Sequence, residues 1–128
     1  MKLQPDKSEL PAISSYGPGW IAVDGERIAA SVVIGSGGDR RPWHCASFAE
    51  LGAEHFASLA EPGAELVLFG SGDRIRFPQP AWLAALMAQG IGVETMDTPA
   101  ACRTYNILSA EGRRVVLALL IDSASGAA

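Results

Sequence analysis

The residues of this chain best suited to chemistry gather in two short stretches. One is Gly70-Ser71-Gly72-Asp73-Arg74, directly after the apolar run 66–69, and the other is Asp97-Thr98-Pro99, with Arg103 a turn further on. Glycines, a hydroxyl and a guanidinium are what a phosphate cradle or an activated nucleophile requires, but each established pattern fails here in its spacing. A dinucleotide-binding turn needs a third glycine where Ile75 stands and a helix entered at once, whereas Pro78 and Pro80 delay the helix. The nucleophile elbow G-x-S-x-G sets its serine one residue away from each glycine, and Ser71 adjoins both. No Gly-Lys-Ser/Thr follows to make a P-loop. The turn therefore reads first as a place where small residues let the chain leave a strand sharply. A second reading keeps Gly70, Ser71, Gly72, Arg74, Asp97, Thr98 and Arg103 together as a small-molecule or anion site. Consecutive amides can form a concave nest, and a helix N-terminus presents unpaired N–H groups.

Cysteine and histidine add no constellation. Cys45 and Cys102 lie outside any C-x-x-C or metal-ligand spacing and are expected to be unpaired and reduced. Cys102 falls near a helix start, where the dipole favours a thiolate, but no histidine is close in sequence to act as base. Its helical position predicts the edge of the core. His55 lies within the stripe Phe48, Leu51, Leu59 and reads as a packed histidine donating to a backbone carbonyl. His44 and Cys45 offer two donors where a metal site wants three or four. No catalytic residue, metal or cofactor is assigned, and the reading leans away from an enzyme. A second Gly-Ser-Gly, residues 35–37, follows a hairpin strand and reads as loop.

These stretches must be positioned by a single domain, since 128 residues suffice to bury roughly two thirds of the unfolded chain's surface. A composition 48% hydrophobic and 19% charged fits a soluble globular fold. The net charge of −4, with Lys and Arg scattered, excludes the basic stripe that nucleic-acid binding would use. The longest apolar run, 115–121, is far short of the ~20 residues of a membrane span. The opening MKLQPDKSEL has neither the apolar core of a secretory signal nor an Arg-rich transit pattern, so the expected compartment is the cytoplasm. Residues 1–12 are expected to be a flexible segment, 13–121 the domain and 122–128 a disordered tail.

Strands dominate the first third. Asp24-Gly25 between apolar runs predicts a tight hairpin, with a short strand at 13–16 before it, a loop at 35–41 and an extended piece at 43–45. Ser47 and Glu50 form a capping box for a helix carrying Phe48, Leu51, Phe56 and Leu59, closing before Pro62-Gly63. The run 66–69 is a buried strand, Pro80 opens a helix at 81–89 that Gly90 closes, and 91–96 is the next strand. Thr98 as N-cap with Pro99 at N1 starts a third helix reaching about Ala110, with Gly112 just beyond, before a doubly buried strand at 115–121. Alternating helices and strands make the fold α/β. The crossover through 81–89 makes 66–69 and 91–96 parallel neighbours, with Val67 and Val93 buried. Their carboxyl ends then open on one edge, where ligands bind in open α/β sheets, and that edge carries both candidate stretches.

The helix at 81–89 has a single polar residue, Gln89, and Trp82, Leu83, Leu86 and Met87 spread around it. A uniform 100° step points Trp82 and Leu86 away from the face of Ala84 and Met87, leaving some of these side chains uncovered. The helix is therefore the candidate interface with a protein partner or a second copy.

The stretch from "LFGSGDRIRFPQPAW" to "VVLALL", with the preceding "GPGWIAVDGERI", resembles the domain-of-unknown-function 498 family, which includes complex I assembly factor 3 and adipogenesis-associated domain proteins. The family's G-x-G falls on Gly70 and Gly72, with Ser71 keeping the hydroxyl of the usual threonine. Its Met-Asp-Thr falls on Met96, Asp97 and Thr98, and its Thr-x-Asn on Thr104 and Asn106. The resemblance implies a three-layer α/β domain whose central sheet is mixed and mostly parallel. It also implies a last strand antiparallel to its neighbours, a small hairpin sheet to one side, and no catalysis. Two functions stand: a non-catalytic protein-interaction or assembly-factor-like module, favoured, and a small-molecule or anion-binding domain with possible enzymatic activity at the 70–74 crevice.

Overall fold

The computed structural model of the chain describes residues 10–122, so most of the two expected flexible ends lies outside the described residues. Strands β1 (Ile13–Gly17), β2 (Trp20–Val23) and β3 (Glu26–Ile28) form an antiparallel sheet in that order. Its second turn is the predicted Asp24-Gly25, at φ 49° and 87°, the left-handed pair that a two-residue hairpin requires.

The second sheet has five strands: β4 (Val32–Ile34), β5 (Arg40–Pro42), β6 (Leu66–Gly70), β7 (Gly92–Met96) and β8 (Val115–Leu119), in the order β5-β4-β8-β6-β7. β6 pairs in parallel with β7 and with β8, while β4 pairs antiparallel with β8 and β5. β4 alone thus opposes the other four strands. The expected last strand, antiparallel to its neighbours, is corrected on one side: β8 is parallel to β6, because the crossover through the third helix returns it in the same sense. Arg40 and Arg41, at the end of the expected 35–41 loop, belong to an edge strand Arg40–Pro42, because Val33↔Arg41 pairing completes a short hairpin.

Strict alternation divides the core. Val32, Ile34, Leu68, Val115, Leu117 and Leu119 face one side, where α3 (Thr98–Ala110) and the three-stranded sheet pack. Val33, Val67, Phe69, Val116, Ala118 and Leu120 face the other, against Trp43, Phe56 and Leu86. This gives the three layers: α3 with the small sheet, the five-stranded sheet, and α1 (Ala53–Ala57) with α2 (Ala84–Ala88). Val67 is fully buried, but Val93 is only half-buried because β7 is the sheet's edge.

The predicted first helix is broken into a 3-10 turn at Phe48–Glu50 and α1. The capping box does not form. Ser47 makes no side-chain cap, the Glu50 carboxylate accepts the Ala46 N–H, and the Gly52 N–H donates to His55 Nδ1. His55 Nε2 then carries the proton and donates to the His44 carbonyl at 3.0 Å, the backbone bond expected of a packed histidine.

The predicted helix at 81–89 also divides, into a 3-10 stretch Pro80–Leu83 followed by α2. The relative placement given by the helical wheel holds, since Trp82 and Leu86 share one side and Ala84 and Met87 are exposed on the other. The expectation that Trp82 and Leu86 supply the uncovered surface is corrected, because theirs is the side that packs on the core. Leu86 is fully buried, Trp82 stacks on Phe56 at 5.9 Å and meets Phe48 at 6.0 Å, and Leu83 is half-buried against the same cluster. Met87 alone among these residues is exposed, at 68%.

Candidate functional site

The carboxyl ends of β6 and β7 meet at the predicted crevice, and their loops leave toward opposite faces of the sheet, to α2 on one and α3 on the other. In an open α/β sheet that reversal leaves a gap for a ligand. Here the gap is bridged by hydrogen bonds. The Ser71 N–H donates to the Met96 carbonyl (2.8 Å), the Thr98 N–H to the Gly72 carbonyl (2.7 Å), and the Gly72 N–H to Thr98 Oγ1 (3.0 Å). Thr98 Oγ1 in turn donates to the Leu120 carbonyl at 3.2 Å, fastening the turn, α3 and the end of β8 together.

Ser71 is fully buried, and its hydroxyl is committed. The proton faces the Arg74 carbonyl at 2.9 Å and the Met96 carbonyl at 3.2 Å, while the oxygen accepts the Arg76 N–H at 2.8 Å. Arg76 also folds its guanidinium back onto the Ser71 carbonyl, at 3.2 Å from Nε and 2.7 Å from Nη2, and over the Phe48 ring at 5.0 Å. The hydroxyl shapes the loop 71–76. It is bonded as a turn residue and not as a nucleophile, and the amides of Ser71 and Gly72 face protein acceptors.

Both glycines of the turn have a steric reason. A Cβ at Gly70 would lie 2.7 Å from Leu119 Cδ2 and 3.1 Å from Thr98 Cα, so only glycine lets α3 approach β6 this closely. Gly72 stands at φ 109°, and its Cβ would meet Arg76 Nη2 at 2.6 Å.

The structure brings Gly70, Ser71, Gly72, Asp97 and Thr98 together but sends the two arginines elsewhere. Asp97, and not Thr98, is the N-cap of α3: its carboxylate accepts the Ala100 N–H at 2.8 Å, which moves the helix start by one residue. Arg74 is exposed at the loop tip, and Arg103 donates to Tyr16 Oη at 2.8 Å.

Beside the bridged crevice, between the three-stranded sheet and the start of α3, lies an open cleft of about 430 Å³. Its apolar lining comes from Tyr16, Pro18, Trp20, Pro99, Leu120 and Ile121, and Gly72 and Asp73 of the turn line it too. Sequence reasoning placed the site on the polar turn and missed this cleft. The signal was the aromatic pair flanking Gly17-Pro18-Gly19, which a hairpin sheet alone does not require. It also missed Ile75 and Phe77, 49% and 70% exposed on the loop after Ser71. Their alternation with Arg74 and Arg76 between glycine and proline marks apolar side chains in a segment with no face to bury.

Cys45 and Cys102 are free and buried on opposite sides of the five-stranded sheet. Burial pushes the Cys45 thiol up to about 11 and the Cys102 thiol up to about 12. Cys102 was expected at the core's edge. It is fully buried because α3 packs on the sheet with one side and on β1 with another.

This combination of a three-layer α/β domain, a bridged strand-end crevice and a flanking hairpin sheet defines a class. The chain belongs to the family described as Protein of unknown function (DUF498/DUF598), whose model matches residues 13–120. Two curated relatives are named NADH dehydrogenase [ubiquinone] 1 alpha subcomplex assembly factor 3. The bovine protein is 42% identical over 88 residues, covering 67% of this chain and 47% of its own length. The human protein is 32% identical over 120 residues, covering 92% of this chain and 65% of its own length. This chain therefore spans about half to two thirds of those relatives. A crystal structure from Bordetella parapertussis superposes with a TM-score of 0.80 at 41% identity, covering 88% of this chain and 97% of that one. No helix among the described residues is long and apolar enough to cross a membrane.

Proposed function

We propose that this chain is a non-catalytic interaction module of the assembly-factor kind, acting in the cytoplasm on a protein partner. The observation that carries the reading is the loop after β6. Ile75 and Phe77 project into solvent from a segment held by the Ser71 hydroxyl and the Arg76 guanidinium. A side chain presented on a rigid loop loses little freedom on docking, which is what a contact residue gains from preorganisation. The relatives' printed names support a protein as the partner, and a multisubunit NADH dehydrogenase is the client class they suggest. The predicted contact surface accordingly moves from Trp82 and Leu86, which pack inside, to the loop, with Met87 a separate exposed point.

The test is affinity capture from a cell extract with the chain and with its Phe77→Asp variant as baits, compared by quantitative mass spectrometry. The reading expects specific proteins enriched by the first and lost with the second. Identical capture by both, or enrichment of none, overturns it.

A second reading, binding of a small molecule, is favoured by the cleft, whose volume falls within the roughly 300–1,000 Å³ of ligand pockets. Its walls rather than the amides of residues 70–72 would make the contacts.

A further inference from the structure

The cleft beside the crevice lies against the start of α3, yet the N–H groups there are already spent. The Thr98 N–H donates to the Gly72 carbonyl (2.7 Å) and Pro99 has no N–H. The Ala100 N–H goes to Asp97 Oδ1 (2.8 Å) and the Ala101 N–H to the Asp97 carbonyl (2.9 Å). Other lining residues are bonded in the same way: the Gly72 N–H donates to Thr98 Oγ1, the Leu120 N–H to the Gly70 carbonyl and the Ile121 N–H to Ser31 Oγ. An anion entering the cleft would find none of these donors free. The charged residues that line the cleft are Asp73 and Asp122, both acidic. Two guanidiniums reach its aromatic residues, Arg103 on Tyr16 Oη at 2.8 Å and Arg27 over the Trp20 ring at 4.0 Å. Neither lines the cleft, and the charge of Arg103 is opposed by that of Asp97.

We propose that the cleft binds a small amphiphilic amine, its aromatic or aliphatic body against Tyr16, Pro18, Trp20 and Ile121 and its protonated nitrogen toward Asp73 and Asp122. The apolar lining supplies most of the attraction, because it is the larger part of the surface removed from water. The two carboxylates select the sign of the ligand's charge, as complementary charges do in binding sites generally. A cation held beside the Tyr16 and Trp20 rings is further attracted by their π faces. This inference rests on the small-molecule reading of the cleft and names the ligand class for it.

Three probes that share one ring and differ in charge test it by NMR titration at low salt: tryptamine, tryptophol and indolepropionate. The amide resonances of Gly17, Gly19, Trp20, Gly72 and Asp122 report the cleft. Tryptamine should move them and bind about ten-fold more tightly than indolepropionate, with neutral tryptophol between the two. Added salt should narrow the difference. Asp73 is exposed, so Asp73→Asn should keep its urea midpoint while weakening tryptamine about three-fold and leaving tryptophol unchanged. Asp122→Asn should act in the same direction. Equal affinity for the three probes, or tightest binding of indolepropionate, overturns the proposal while leaving the small-molecule reading standing. Tryptamine binding that neither asparagine variant weakens overturns it as well. If no probe moves the cleft resonances at millimolar concentration, the proposal and the small-molecule reading fall together.

Discussion

Thr98 serves three elements with one hydroxyl, accepting from Gly72 and donating to Leu120 while buried. Thr98→Val keeps the shape and leaves a buried N–H and a buried carbonyl unpaired. It should cost about 1–3 kcal/mol in urea unfolding, and Thr98→Ser should recover most of it. The two thiols make a prediction in pH. In the unfolded chain a thiol ionises near its ordinary 9.0, but folded burial holds the proton to about 11 on Cys45 and about 12 on Cys102. Burial likewise raises the Tyr105 phenol from 10.0 to about 12. Between those values the native state binds more protons than the unfolded state, so the stabilisation is complete below about pH 9 and declines as the pH rises toward 11. Urea midpoints measured from pH 8 upward should fall, and Cys45→Ala with Cys102→Ala should make the decline shallower.

At the scale of elements, α2 is five residues long and its orientation is set by the aromatic cluster beneath it and not by its own periodicity. Trp82→Ala should therefore cost about 3 kcal/mol, near the low end for a packed aromatic, because Trp82 is only half-buried. Met87→Gln on the same element should stay within about 0.5 kcal/mol. Thermal or urea unfolding of the two variants distinguishes this packing from an outward-facing Trp82. The buried strands and α3 were legible in advance, since 66–69 and 115–121 are apolar at every position and Asp97-Thr98-Pro99 and Gly112 bracket a helix, but the parallel sense of β8 against β6 was not. The two shorter helices were not, because 3-10 and α turns share the same residue preferences and differ only in phase.

At the scale of the whole molecule, the small sheet is joined to the main body chiefly through α3. Asn106 accepts the Ile13 N–H at 2.9 Å and donates to the Ile13 carbonyl at 2.9 Å, completing β1 as a further strand would. Arg103 holds Tyr16, and Arg40 of β5 pairs with Glu26 of β3 at 2.7 Å. The exposed pairs contribute little, so the Asn106 amide is the main polar tie. Asn106→Ala should speed hydrogen exchange at the Ile13 amide and loosen β1 to β3, while the amides of Val67 and Leu117 keep their protection. Equal loss of protection in both sheets would show that the molecule opens as one unit.

Periodicity and turn chemistry are local properties, readable over a few residues. The Asp24-Gly25 hairpin, the β6-to-β7 crossover and the glycine requirement of the turn after β6 could therefore be read from residue order. Whether the amides of Ser71 and Gly72 would meet an anion or protein acceptors depended on Met96 and Thr98, about 25 residues away, and only packing set those distances. Exposure was equally nonlocal. Trp82 is covered because Phe48 and Phe56 arrive from the 3-10 turn and α1, and Phe77 is bare because no element among the described residues reaches it.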